Sequence, residues 1–178
     1  MKNSFFCVFF LLLTQLIFSQ KMDNTTLITT FYQAFAKADA EGMVNCYHQN
    51  IQFEDPAFGK LQGDDARNMW RMLIASSKGN ISIAFDNVQA NDSTGSATWV
   101  AEYVFSQTNR KVINRISATF EFQDGKIIRH TDVFDMWKWS RQALGWKGLL
   151  LGWSPFMKKQ IQARTRGLLA KFREGKRR

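Results

Sequence analysis

The sequence predicts an α+β fold: a cone of three N-terminal helices packed on a curved antiparallel sheet, followed by a C-terminal helical extension. Three observations predict it. Apolar residues recur at helical spacing from Leu27 to Ile74, around one short strand. From Ile81 to Asp135 the pattern changes to two-residue alternation punctuated by turn residues. Beyond Asp135 it returns to a helical pattern rich in tryptophan and basic residues.

The elements follow in order. Residues 1–20 open with Lys2, run through an apolar stretch from Phe5 to Phe18 and reach the small residue Ser19. This is the pattern of a secretory signal peptide, cleaved near Ser19 or Gln20, and it predicts a secreted or periplasmic protein. The stretch is short for a membrane span, which needs ~20 apolar residues. Residues 21–136 form the cone. Asp23-Asn24-Thr25 caps a first helix carrying Leu27, Ile28, Phe31 and Phe35. Asp39 caps a short second helix with Met43, Val44 and Tyr47. Ile51 to Pro56 is a strand stopped by proline. Asp64 and Asp65 open a third helix, at the end where the macrodipole favours acids. Four strands follow, Ile81–Gln89, Ala97–Gln107, Lys111–Gln123 and Lys126–Asp135, the last two joined by the hairpin pair Asp124-Gly125.

Alternation sorts the side chains of these strands. Trp99, Ala101, Tyr103 and Phe105 share one face, as do Val112, Asn114, Ile116, Ala118, Phe120 and Phe122. In the last strand Ile128, His130, Asp132 and Phe134 share a face. A concave face that is aromatic but holds His130 and Asp132 has the composition of a small-molecule pocket.

Composition narrows the function. The 178 residues carry 24 Lys+Arg against 15 Asp+Glu, a formal charge of +9. Nine of the bases and one acid lie in residues 157–178, which leaves a near-neutral body with a basic tail. Nucleic acid is therefore a poor candidate partner, more so for an exported chain. Once the leader is removed Cys46 is the one remaining cysteine, so no intramolecular disulfide is expected. Its apolar helical setting makes it a small buried hydrophobe rather than a nucleophile. No Cys/His cluster has zinc spacing and no glycine-rich phosphate loop is present, so neither metal nor cofactor is expected.

The run Phe31-Tyr32-Gln33-Ala34-Phe35, the segment Asp39-Ala40-Glu41-Gly42-Met43-Val44, Tyr47, Phe53-Glu54-Asp55-Pro56, and later Phe120-Glu121-Phe122 with Asp124-Gly125-Lys126-Ile127-Ile128 carry a resemblance. Over Thr25 to Asp135 the chain resembles the nuclear transport factor 2-like superfamily, in its SnoaL-like and ketosteroid-isomerase-like branch. The resemblance implies a cone with one hydrophobic cavity, and dimers are common in the family. It lays Asp55 on the isomerase's general base. The two oxyanion donors of that enzyme fall on Phe31 and Ala118, neither of which can donate a hydrogen bond, so steroid isomerisation is not expected. Tyr32, one position along the helix, is expected to point elsewhere.

The expected site is therefore Asp55, His130 and Asp132 as acid/base groups, lined by Phe31, Trp99, Tyr103, Phe105, Asn114, Ala118 and Phe134. A carboxylate two residues from a histidine on one strand face can hold its tautomer. The expected ligand is a small, mostly apolar molecule. The expected chemistry is cofactor-free isomerisation, cyclisation or hydrolysis, with a non-catalytic binding or docking module as the alternative. Arg115 and Arg129 fall on the opposite face by alternation.

Residues 137–178 extend the cone. Ser154-Pro155 can start a helix whose Met157, Ile161, Leu168 and Phe172 form an apolar stripe among lysines and arginines. Two readings stand for residues 154–178: association with an anionic membrane surface, or docking of the stripe on the chain's own domain or a homodimer partner.

Overall fold

The computed structural model describes residues 23–176; the apolar N-terminal stretch read as a leader lies outside them. Helix α1 (Asn24–Ala36) is capped by Asp23, whose side chain accepts from the N–H of Thr26. Helix α2 (Ala40–Asn45) is capped by Asp39 accepting from Gly42 N–H. Strand β1 (Tyr47–Asp55) is longer than the alternation suggested, and a short strand β2 (Gly59–Gln62) follows it. Helix α3 (Asp64–Ser77) begins at the expected acidic pair. Strands β3 (Ile81–Ala90), β4 (Thr94–Phe105), β5 (Arg110–Gln123) and β6 (Lys126–Val133) complete the sheet.

The sheet order is β2-β1-β6-β5-β4-β3. Every neighbouring pair is antiparallel except β1 and β6, which run parallel. That pair joins strands separated by most of the fold, and parallel neighbours need such a long crossover. The expected all-antiparallel sheet is thus a mixed one. Tyr47, assigned to the second helix by spacing, is instead the first residue of β1, because α2 ends after six residues.

The helices cover one face of the sheet. Leu27, Ile28, Phe31, Tyr32, Met43, Met69 and Trp70 are buried against Phe53, Trp99, Ile116, Ala118 and Phe120. The inward alternation of β4 and β5 is as the sequence reads. In β6 it departs at one point: Ile127, not Ile128, is fully buried. A bulge opposite Glu121 and Phe122 puts an extra residue in β6 there, and a bulge reverses the facing on one side of it. From His130 onward the expected facing holds.

The extension forms helices α4 (Met136–Leu144), α5 (Trp146–Leu151) and α6 (Pro155–Lys176). Asp135, read as the end of a strand, caps α4 by accepting from Lys138 N–H at 2.9 Å. Ser154 caps the start of α6 through Met157 N–H. The apolar stripe of α6 turns toward the cone: Ile161 and Leu169 are buried and Phe172 packs on the main core. Leu168, placed in the stripe by spacing, is exposed while its neighbour Leu169 takes the inward position.

Candidate functional site

Asp55 ends β1, where Pro56 stops the strand and the chain turns back into β2. The turn aims its backbone N–H groups at the carboxylate, and Phe58 N–H donates to Asp55 Oδ1 at 2.5 Å. Burial nevertheless dominates. It pushes the Asp55 carboxyl up to about 7, against the lowering effect of hydrogen bonds from Phe58, Ala57 and Gly59, and the charge of Asp132 raises it further.

Asp132 is on the neighbouring strand. The parallel register sets Phe53 opposite His130 and Glu54 opposite Thr131, so the two acids emerge next to one another along β1 and β6. One oxygen of Asp132, Oδ1, accepts from Trp99 Nε1–H at 3.1 Å and lies 3.1 Å from His130 Nε2. The other ring nitrogen of His130, Nδ1, lies 2.6 Å from the Tyr47 hydroxyl, which accepts from Trp70 Nε1–H at 2.8 Å. A single direction of donation satisfies the row: Trp70 to Tyr47, Tyr47 to His130, and His130 in its Nε2–H tautomer to Asp132. Rings close around it. Phe31, Phe53, Trp70 and Phe120 have centroids 4.4–6.0 Å from the imidazole. His130 is wholly buried, with both nitrogens engaged.

The structure therefore brings Asp55, Asp132 and His130 together, with different standing. Asp55 lies at the rim; His130 lies in the core. Trp99 joins them as a hydrogen-bond donor, and Phe31 and Ala118 are buried beside them, Ala118 directly across the ladder from Asp132. Phe105 belongs to another neighbourhood, and Tyr103 packs against both it and the main core. Trp139 of α4 donates to the Tyr103 hydroxyl at 2.7 Å and stands edge-on to Phe105. Phe134 bridges the two apolar clusters, and Asn114 is half-buried opposite Ala101.

Three residues escaped the sequence reading. Helical spacing puts Tyr47 on α2, and Trp70 lies in the helical run that ends at Ile74 with no mark beyond its apolar character; no spacing signal links either to His130. Tyr32 points inward with Phe31, contrary to expectation. It is fully buried, stacks on Phe85 and lies within the electrostatic reach of Asp132. Its hydroxyl has no hydrogen-bond partner among the described residues. Both residues fit inside because the sheet curls around α1, so the interior faces more than one side of that helix. Burial raises the Tyr32 phenol well above its usual value, which keeps it a neutral donor.

Helix α6 lies across the rim. Gln162, Thr165 and Arg166 donate to the carbonyls of Pro56, Ala57 and Phe58, and Arg166 reaches Lys60 as well. These are the carbonyls of the turn that holds Asp55. Arg173 pairs with Asp65 at the start of α3. A separate open groove of about 700 Å³ lies toward the other side of the sheet, lined by Asn91, Thr94, Thr119, Glu121, Arg129 and Thr131. Arg129 there pairs with Glu121, on the outward side that alternation assigned to it. Among the described residues no three histidine, cysteine or carboxylate side chains gather as a metal-binding set. Cys46 is buried, and its thiol is pushed up to about 11 by that burial.

Comparison with known proteins agrees with this architecture. A proposed polyketide cyclase from Xanthomonas campestris pv. campestris superposes with a TM-score of 0.55 at 18% identity, over 67% of this chain and 95% of that one. An epoxide hydrolase of the LEH-like type from M. tuberculosis gives 0.53 at 17% identity, over 71% and 91%. TerC, crystallised with polyporic acid, gives 0.59 at 16% identity, over 68% and 98%. Such identities carry the fold and not the reaction. No curated protein matches the chain. The SnoaL-like domain model matches residues 28–130, from the first turns of α1 to the central histidine of β6. With the nuclear transport factor 2-like cone already built from its own residues, the chain belongs to the SnoaL-like domain family.

Proposed function

We propose that this is an exported SnoaL-like protein that takes a small, mostly apolar molecule at the rim of the cone and moves a proton on it with Asp55. The observation that carries the reading is the setting of Asp55: a half-buried carboxyl at the rim beside a second acid, raised to about 7, and held in place by Phe58 N–H. A group titrating near neutrality is well matched to both giving and taking a proton. As the carboxylate it accepts a proton from a carbon next to a carbonyl, or from a water attacking an epoxide; as the acid it returns one. Burial keeps Asp55 from ionising early, and the neighbouring Asp132, anchored by Trp99 and His130, adds to that effect. His130 and Tyr47 are positioning residues in this scheme, since their polar atoms are already engaged with each other and with Asp132 and Trp70. Tyr32 is the unspent donor, suited to an oxygen on which negative charge develops. The names borne by two of its structural neighbours, a cyclase and an epoxide hydrolase, fit proton transfer on small molecules.

A second reading, a non-catalytic binder, is favoured by the way α6 closes over the Asp55 turn. One experiment separates the two. An apolar enolisable ketone such as 2-tetralone is incubated in deuterated buffer, and deuterium uptake is followed for the wild type and Asp55→Asn. The catalytic reading expects uptake to fall by roughly 10²–10⁴-fold in the variant, with ketone binding retained. Uptake no faster than buffer in the wild type, with binding intact in both, favours the binder. Sequencing the N-terminus of the exported chain tests the leader, with residue 20 or 21 expected first.

A further inference from the structure

The sequence places its amphipathic stripe on α6, yet that stripe is spent on the cone. The apolar surface left to solvent lies instead on α4, α5 and the first residues of α6. Trp146, Trp153 and Phe156 are 68, 69 and 63% exposed, and Leu149, Leu150 and Leu151 are about half exposed. Trp137 joins them: its Nε1–H donates to Leu149 O, as Trp153 Nε1–H does to Leu150 O. These bonds tie the residues into one surface. Soluble monomers seldom leave a cluster of this kind uncovered.

The packing of α5 is inverted relative to a water-soluble helix. Its buried residue is Gly148, and Gly152 just beyond it is buried too, while the leucines between them face outward. Both glycines lie on α4. A Cβ on Gly148 would meet the Ser140 carbonyl oxygen at 1.9 Å, and one on Gly152 would meet Ser140 Cβ at 2.5 Å. Small residues toward the protein and leucines away from it is the arrangement of helices that pack inside lipid, where burying leucine against protein gains nothing.

The charge around the surface is almost all of one sign, the exception being Asp135 at the cap of α4. From Met136 to Arg173 there is no Asp or Glu, and there are nine Lys or Arg. Lys138, Arg141, Lys147, Lys158 and Lys159 are exposed beside the patch. Arg141 lies 4.3 Å from the centre of the Trp137 ring, and Lys147 Nζ lies 5.8 Å from that of Trp146. Tryptophan rings edged by cations suit the headgroup boundary of a bilayer with acidic lipids. Among the described residues no helix is long and apolar enough to cross a membrane, so the fit is to its surface.

We propose that the α4–α5 hairpin, through Trp137, Trp146, Leu149, Leu150, Trp153 and Phe156, docks on an anionic membrane surface. The inference is independent of the chemistry at Asp55.

The test uses the full chain with vesicles of phosphatidylcholine, alone or with 30% phosphatidylglycerol. It compares the wild type with Trp146→Ser/Trp153→Ser and with Lys147→Gln/Lys158→Gln/Lys159→Gln. Residues 5–18 are common to all three, so differences among them belong to the patch. The wild type should bind the acidic vesicles at least tenfold more tightly than the neutral ones, less so at high salt. Both variants should lose about tenfold or more while unfolding at the wild-type temperature. Amide exchange in residues 146–153 of the wild type should slow on acidic vesicles. Equal binding by wild type and tryptophan variant, or no slowing in 146–153, overturns the proposal. So does a wild-type dimer that the tryptophan variant breaks without any change in vesicle binding.

Discussion

The Tyr47 hydroxyl and His130 Nδ1 meet at 2.6 Å across 83 residues of sequence, and that contact joins β1 and β6 inside the core. Removing the hydroxyl leaves two buried polar atoms unmatched, His130 Nδ1 and Trp70 Nε1. Tyr47→Phe should therefore cost about 2–4 kcal/mol in urea unfolding, more than a single neutral hydrogen bond contributes. Trp70→Phe alone should cost less through hydrogen bonding, because Tyr47 keeps His130. A cost for Tyr47→Phe below about 0.5 kcal/mol would show that the row is not cooperative.

Asp55 makes stability depend on pH in an unusual direction. Its carboxyl is raised from 3.8 to about 7, so between these values the folded chain holds a proton that the unfolded chain has released. Stability should fall as pH rises through this window, by an amount of the order of a few kcal/mol. Asp55→Asn keeps an oxygen for Phe58 N–H and has no charge to bury. It should flatten the decline and be the more stable protein at pH 8, while being the less active one. Chemical denaturation at pH 4.5, 6 and 8 for both proteins checks this.

Proton transfer should follow the same group. If the carboxylate is the base, deuterium uptake rises with pH and levels off above about 7. A profile flat from pH 5 to 9 would remove Asp55 as the base.

Tyr32 carries a buried hydroxyl without a partner, which costs stability unless something uses it. Tyr32→Phe should leave the unliganded protein as stable as before or up to about 1 kcal/mol more so. If the hydroxyl meets a developing charge, the same variant should lower turnover far more than ketone affinity. A clear loss of stability would mean that the hydroxyl has a structural role.

Ending the chain after Trp153 removes α6, with its buried Ile161 and Leu169 and its grip on residues 56–60. These two buried side chains alone represent about 3–6 kcal/mol. The truncated protein should unfold at much lower denaturant concentration. With the turn after Asp55 released from α6, its carboxyl should titrate closer to the ordinary value, as carboxyl infrared absorption would show. A truncated chain of undiminished stability would contradict the packing of α6.

The sequence by itself determined the class of fold, the succession of its main helices and strands, the inward faces of β4 and β5, and the shared face of His130 and Asp132. These follow from local periodicity, capping residues and alternation, which each segment carries within itself. It also located the excess charge in the tail. Only the tertiary structure decided which side chains Asp55, His130 and Asp132 meet. The row from Trp70 through Tyr47 to His130 depends on the parallel register of β1 and β6, and no short-range pattern encodes that register. The bulge that turns Ile127 inward is likewise a property of a pair of strands. The inward turn of Tyr32 follows from a sheet curling around α1. The tail shows the difference most clearly. Its amphipathic stripe was legible, but what the stripe would cover was not, because an apolar face meets lipid or protein by the same physics. Once α6 closes on the cone, the surface left for a membrane is the tryptophan- and leucine-bearing side of α5, which faces outward because Gly148 and the capping Gly152 face in.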